Sequence, residues 1–191
     1  MLNLNLTLTL MLLLCSVTVH AGQPRQFGFG RTPSAEEIRR WDIAIMPDGR
    51  QLPAGHGTVT QGKEIYQAKC QSCHGVQGTG GPNDQLAGAY DSRINFATDT
   101  RATRTIGNYW PYATTIYDYI SRAMPQTAPG SLTPDEVYSL TAYLLYLNRI
   151  IDADSEINRD SLPRIVMPAR HLFYWSDEVK QLRPRVIHVL P

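Results

Sequence analysis

The sequence predicts an all-α fold with extended arms at both ends. Residues 60–70, 111–123 and 134–148 each place apolar side chains at helical spacing. A βαβ pattern is absent from the chain, and the stretches that flank these three segments indicate extended chain with turns. We therefore expect one helical core, with one arm before it and one arm after it.

The composition argues against nucleic-acid binding and favours a globular protein. The 191 residues include 18 Lys and Arg against 17 Asp and Glu, which is a formal net charge of +1. This balance offers no positive field for a phosphate backbone, so we expect no nucleic-acid partner. Hydrophobic residues make up 42% of the chain and charged residues 18%, which favours one globular domain with extensions.

The start of the chain predicts an export signal. Residues 8–19 are apolar over the length of a signal-peptide core, and Ala21 is the small residue that signal peptidase requires. We predict a signal peptide over residues 1–21 and a mature protein in the periplasm. An uncleaved anchor is the less favoured alternative, because the stretch is shorter than the roughly 20 residues of a spanning helix. No later stretch predicts a stable membrane span.

The N-terminal arm is expected to contain one short helix followed by extended chain. The helix is predicted over residues 34–40 and begins either at Thr32 or at a capping box of Ser34 and Glu37. Residues 41–58 then indicate an extended wrap with turns.

The first helix of the core is predicted over residues 60–70. Gly62, Tyr66 and Cys70 lie four positions apart on one of its faces. Because glycine has no side chain, we expect another helix to approach this face closely at Gly62.

Residues 70–74 form a CxxCH motif. Its two cysteines, Cys70 and Cys73, can add to the two vinyl groups of one haem, and His74 is then held where it can ligate the iron. For a zinc site, the chain lacks a second cysteine pair. A thioredoxin-like redox pair would follow a strand of a βαβ unit, and the chain lacks that pattern. With the export signal, the motif predicts one covalently attached haem c.

Two further helices follow the motif. The helix at residues 111–123 ends directly before Met124 and carries Ile116 and Ile120 on the same face. The last helix begins with Thr133 as N-cap and Glu136 completing a capping box, and is predicted to end near residue 148. Its apolar face comprises Val137, Leu140, Leu144, Leu147 and Ile151.

These helices resemble those of the class I cytochromes c. In that family a first helix with glycine, an aromatic residue and the first haem cysteine crosses a last helix with a Leu-x-x-Tyr-Leu pattern. Residues 62, 66 and 70 match the first pattern, and residues 140–144 match the second. The resemblance implies the class I fold around one haem. It also implies that Pro82, in the Gly-rich loop at 78–82, offers its carbonyl to His74, a bond that would orient the imidazole.

Three methionines, each followed by proline, compete for the second axial position. Met124 stands directly before the capped helix, where the class I family places its methionine ligand, so we predict it as the second ligand. An ordinary core methionine is its alternative. Met46 and Met167 lie outside the helical core and are expected to be structural. The other candidates for a sixth ligand are His56, His171 and His188, for which a solvated loop or tail position is the favoured interpretation.

The arms and two internal segments carry a more specific resemblance. Residues 28–33, 41–58, 107–115 and 123–125 and the Met167-Pro168 pair resemble the haem subunits of bacterial sulfite and sulfane dehydrogenases of the Sox type. The resemblance implies a periplasmic electron acceptor for a molybdopterin-containing dehydrogenase subunit, with a downstream cytochrome c or oxidase as recipient. Some of those relatives carry two haems, whereas this chain has one CxxCH motif.

The predicted organisation has four segments. They are the signal peptide at 1–21, an N-terminal extension at 22–59, a cytochrome c domain at 60–150 and a C-terminal extension at 151–191. We expect a monohaem electron-transfer protein, more an electron-transfer subunit of an oxidoreductase than a catalyst, with no catalytic residue of its own. A freely diffusing carrier and a haem enzyme with an open sixth position are the alternatives.

Overall fold

The computed structural model describes residues 29–174, so the predicted signal peptide and His188 lie outside the described residues. The chain divides into two compact units, one ending at Asp42 and one beginning at Ile43. In the first unit, helix α1 spans Ala35–Trp41. Its predicted capping box is present, because Ser34 and the side chain of residue 37 exchange hydrogen bonds with each other's backbone N–H groups.

The first unit presents apolar side chains to solvent. Helix α1 buries none of its residues, and the side chains of Phe29 and Trp41 are 91% and 86% exposed. Exposed aromatic residues on so short a segment are unusual unless another surface covers them.

The second unit contains the helical core. Its elements in chain order are β1 (His56–Thr58), α2 (Val59–Lys69), α3 (Gln71–His74), α4 (Ile106–Tyr109), α5 (Ala113–Ala123), α6 (Pro134–Leu147) and β2 (Glu156–Asn158). The prediction of an all-α fold is confirmed, with one addition. Strands β1 and β2 form a short antiparallel pair in which Gly57 lies opposite Ile157. Within residues 29–174, no helix is both long enough and apolar enough to cross a membrane.

Helices α2 and α6 make the central contact of the core. A side chain at Gly62 would clash with the backbone carbonyl of Ser139 and lie 2.8 Å from the Cβ of Tyr143. One turn further along α2, the rings of Tyr66 and Tyr143 pack with their centroids 5.3 Å apart. The predicted close approach at Gly62 is therefore present, since only glycine leaves room for α6.

Helix α6 begins as predicted. Thr133 and Glu136 form the capping box, and Pro134 occupies the first turn. Glu136 also accepts a hydrogen bond from Lys69 Nζ at 2.7 Å, which lowers the pKa of the Glu136 carboxyl. The start of α6 is thereby tied to the end of α2.

The extended wrap before β1 belongs to the second unit. Leu52 is 1% exposed and lies in the core. The backbone N–H of Ile45 donates to Asp118 Oδ1 at 3.0 Å, and the Tyr138 hydroxyl donates to the Pro53 carbonyl at 2.9 Å. These contacts fix the wrap from residue 43 onward against helices α5 and α6.

Candidate functional site

One cavity brings together the residues that the sequence singles out. Cys70, Cys73, His74 and Met124 all line it. Helices α2 and α3 supply the first three, and Met124 caps the C-terminus of α5. Most of the remaining wall is apolar and includes Leu86, Ile106, Trp110, Ile116, Leu140 and Leu144.

The two cysteines lie at the junction of α2 and α3. Cys70 ends α2 and begins α3; it is half-buried, whereas Cys73 is exposed, and both are free thiols. Burial raises the pKa of the Cys70 thiol to about 11, with the neighbouring Cys73 adding to the rise and Lys69 opposing it. Thioredoxin-like pairs depend on a thiol whose pKa is lowered, not raised. The shift at Cys70 is thus in the direction opposite to the one that such a redox pair uses.

His74 is held by a backbone carbonyl, but not by the one expected. Its Nδ1 lies 2.8 Å from the carbonyl oxygen of Asp84. The prediction that the Pro82 carbonyl accepts this hydrogen bond is therefore wrong. The loop that contains Pro82 contacts the CxxCH motif one residue before Asp84, because the Asn83 N–H donates to the Cys73 carbonyl at 2.9 Å. The carbonyl that contacts the imidazole is that of Asp84.

The hydrogen bond of His74 decides which ring nitrogen is available. A carbonyl oxygen can only accept, so Nδ1 donates, and in the neutral ring this leaves the lone pair on Nε2. Such a bond orients the ring and makes it a stronger electron donor toward a metal.

Met124 is the methionine on the cavity. Its N–H donates to the Ile120 carbonyl at 3.1 Å, and Ile116 and Ile120 line the same wall, as their spacing predicts. Met167 is 2% exposed within the hydrophobic core, and Met46 is partly exposed. Neither of these two lines the cavity.

The described histidines other than His74 lie away from the cavity. His56 is exposed on β1 opposite Asn158. His171 is also exposed and uses both ring nitrogens, Nδ1 with the Pro168 carbonyl at 3.0 Å and Nε2 with the Tyr90 hydroxyl at 2.9 Å. Both side chains are solvent-exposed, although His56 lies on a strand rather than in a loop.

Asn148 supports two walls of the cavity, and the sequence analysis did not single it out. Its Oδ1 accepts from the N–H groups of Gly88 at 2.9 Å and Gly107 at 3.0 Å. Its Nδ2 donates to the carbonyls of Leu86 at 3.2 Å and Leu144 at 2.8 Å. This buried amide therefore joins the end of α6 to the loop bearing Leu86 and to α4.

The donor set fits a covalently attached haem. Two thiols three positions apart, an imidazole with a free Nε2 and a thioether share one apolar cavity. Thiols of this spacing suit two vinyl groups, and imidazole with thioether is an axial pair found in cytochromes c. Among residues 29–174, by contrast, no group of three or more His, Cys, Asp or Glu side chains is arranged to hold a metal ion directly.

Comparison with known proteins places the chain in a family. The family profile of cytochrome c matches residues 59–148. Thiosulfate dehydrogenase of Psychrobacter arcticus is 27% identical over 128 residues, which are 67% of this chain and 35% of that protein. This chain thus spans about a third of the length of that curated relative.

A solved structure is more similar. A chain in the crystal structure of the sulfane dehydrogenase SoxCD from Paracoccus pantotrophus is 36% identical, with a TM-score of 0.68. The match covers 87% of this chain and 80% of that chain. The expected class I fold is confirmed by these likenesses. The chain belongs to the cytochrome c family, whose domain carries covalently bound haem c and transfers electrons.

Proposed function

We propose that this chain carries one haem c, attached through Cys70 and Cys73 and ligated by His74 and Met124. The observation that carries the proposal is that all four side chains line a single cavity. Because His74 and Met124 would both ligate the iron, no position there would be left for a substrate. The chain then acts as an electron carrier rather than as a catalyst.

The residues of the cavity have separate tasks in this proposal. The haem supplies one-electron exchange between ferric and ferrous iron. The cysteines fix it to the chain, and the Asp84 carbonyl holds the imidazole of His74 in orientation. The thioether of Met124 favours the reduced state and so raises the reduction potential. Apolar walls exclude water and limit the reorganisation that accompanies a change of charge.

Replacing Met124 with leucine tests the axial assignment. Leucine keeps the approximate volume but removes the sulfur, so we expect the far-red sulfur-to-iron charge-transfer band of the oxidised protein to disappear. Met167→Leu is the matched control, because it removes a sulfur from the core but not from the cavity. The measurement is the absorption spectrum of both variants. A band that survives in Met124→Leu would show that another group ligates the iron.

We further propose that the haem accepts electrons, in the periplasm, from a molybdenum-containing sulfite or sulfane dehydrogenase subunit. Two observations support this partner. The match to a chain of a sulfane dehydrogenase covers 87% of this chain, and therefore extends beyond residues 59–148. The curated relative also acts on a sulfur compound, thiosulfate.

The N-terminal unit is the part that we expect to dock on this partner. Its exposed aromatic residues, Phe29 and Trp41, suit an apolar contact. We expect deletion of residues 22–42 to abolish co-purification with the dehydrogenase and substrate-dependent reduction of the haem. The deletion stops before Ile43, so the core residue Leu52 and its wrap remain.

Two measurements control the deletion experiment. Reduction by ascorbate and the haem spectrum are expected to stay unchanged in the deletion variant, because the haem cavity lies wholly within the second unit.

The double variant Phe29→Ala/Trp41→Ala should weaken co-purification with the dehydrogenase. The double variant Arg39→Ala/Arg40→Ala should not weaken it if the contact is apolar. A deletion variant that is reduced by the dehydrogenase at the wild-type rate would instead identify a freely diffusing carrier.

A further inference from the structure

The hydroxyl of Tyr66 is used inside the core. Tyr66 lies on α2 and is 1% exposed. Its hydroxyl donates to the carbonyl oxygen of Gly75 at 2.9 Å, and the backbone N–H of Gly78 donates to the same carbonyl at 3.4 Å. The Gly75 carbonyl thus joins the Tyr66 hydroxyl to both ends of the short loop that directly follows His74.

A second segment depends on that loop. The carbonyl of Gly78 accepts hydrogen bonds from the N–H groups of Leu86 at 2.9 Å and Ala87 at 3.2 Å. Two residues before Leu86, the carbonyl of Asp84 accepts from His74 Nδ1 at 2.8 Å. Hydrogen bonds and two residues of backbone therefore connect the Tyr66 hydroxyl to the imidazole.

We propose that Tyr66 is a positioning residue for His74. Its hydroxyl holds the 75–78 loop, the loop holds the segment at 84–87, and that segment keeps the Asp84 carbonyl on the imidazole. The proposal rests on the proposed function, in which His74 ligates the haem iron.

Ring packing alone does not account for a tyrosine at this position. The contact with Tyr143 and the wall of the cavity need only an aromatic ring, which phenylalanine would also provide. What phenylalanine lacks is the donor for the Gly75 carbonyl. The phenolic oxygen is thus the part of the side chain that bears on His74.

Tyr66→Phe tests the proposal, with Tyr138→Phe as its matched control. Tyr138 is also fully buried, and its hydroxyl also donates to a backbone carbonyl at 2.9 Å, that of Pro53. It does not line the cavity. Each variant therefore removes one buried phenolic hydrogen bond, but only Tyr66→Phe removes one that leads to His74.

Amide hydrogen exchange and the reduction potential are the two readouts. In Tyr66→Phe we expect exchange at Gly78, Leu86 and Ala87 to become roughly five- to tenfold faster, the effect of losing one hydrogen bond from a local structure. We also expect the reduction potential to rise, because a looser bond at Nδ1 makes His74 a weaker donor to ferric iron. Tyr138→Phe should leave the exchange at these three amides and the potential unchanged.

The outcomes separate this proposal from the proposed function. Faster exchange with an unchanged potential, or equal behaviour of the two variants, would overturn the positioning role of Tyr66. A wild-type protein without the absorption bands of a histidine and methionine ligated haem would overturn the proposed function itself.

Discussion

The double variant Cys70→Ala/Cys73→Ala is expected to carry no haem after denaturing electrophoresis. Both thioether bonds are then absent, and the ligation by His74 and Met124 and the contacts with the cavity wall are lost when the chain is denatured. Each single variant retains one attachment point, so we expect it to mature with strongly reduced yield. The measurement is haem staining of the denatured polypeptide, compared with the amount of chain present.

Ser72→Ala is the control for the cysteine variants. Ser72 lies between the two cysteines and lines the same cavity, but it has no thiol that could attach to a vinyl group. We expect its haem stain to equal that of the wild-type protein. Stain retained at wild-type intensity in the double variant would contradict covalent attachment at this motif.

Gly62→Ala is expected to lower the free energy of unfolding by about 3 kcal/mol, at the upper end of the usual cost of overpacking a core. The added methyl group would clash with the Ser139 carbonyl. That atom belongs to the backbone of α6 and cannot rotate away, so the two helices must separate. Guanidinium unfolding of the haem-loaded protein measures the change.

The matched control for Gly62→Ala is Gln67→Ala on the exposed side of the same helix. It also places alanine in α2 but adds no atom to the contact with α6, so we expect a change within about 0.5 kcal/mol. If both variants were equally stable, α2 and α6 would not be held at the distance that the structure shows.

The parts of the fold that were predicted from sequence depend on local signals. The start of α6 follows from Thr133, Pro134 and Glu136, which act within one turn of helix. The CxxCH spacing likewise lies within five residues. Such signals survive in the sequence because the contacts that they describe are close along the chain.

The parts that were missed depend on contacts between distant residues. The acceptor for His74 is Asp84 rather than Pro82 because of the path that the loop takes past Cys73. Strands β1 and β2 have three residues each, which is too short for an alternating pattern to appear. Asparagine is common at the end of a helix, so an asparagine at position 148 did not indicate that its side chain forms four hydrogen bonds.

The amide of Asn148 has a consequence for the order of events during folding. Its partners at Gly88, Gly107 and Leu86 precede it by 60, 41 and 62 residues. Contacts across loops of this length form late, since the chain must lose the entropy of closure first. During synthesis the wall at Leu86 therefore stays open until α6 has emerged. Cys70 and Cys73 remain accessible over that interval, so the attachment of the haem that we propose can precede closure of the pocket around it.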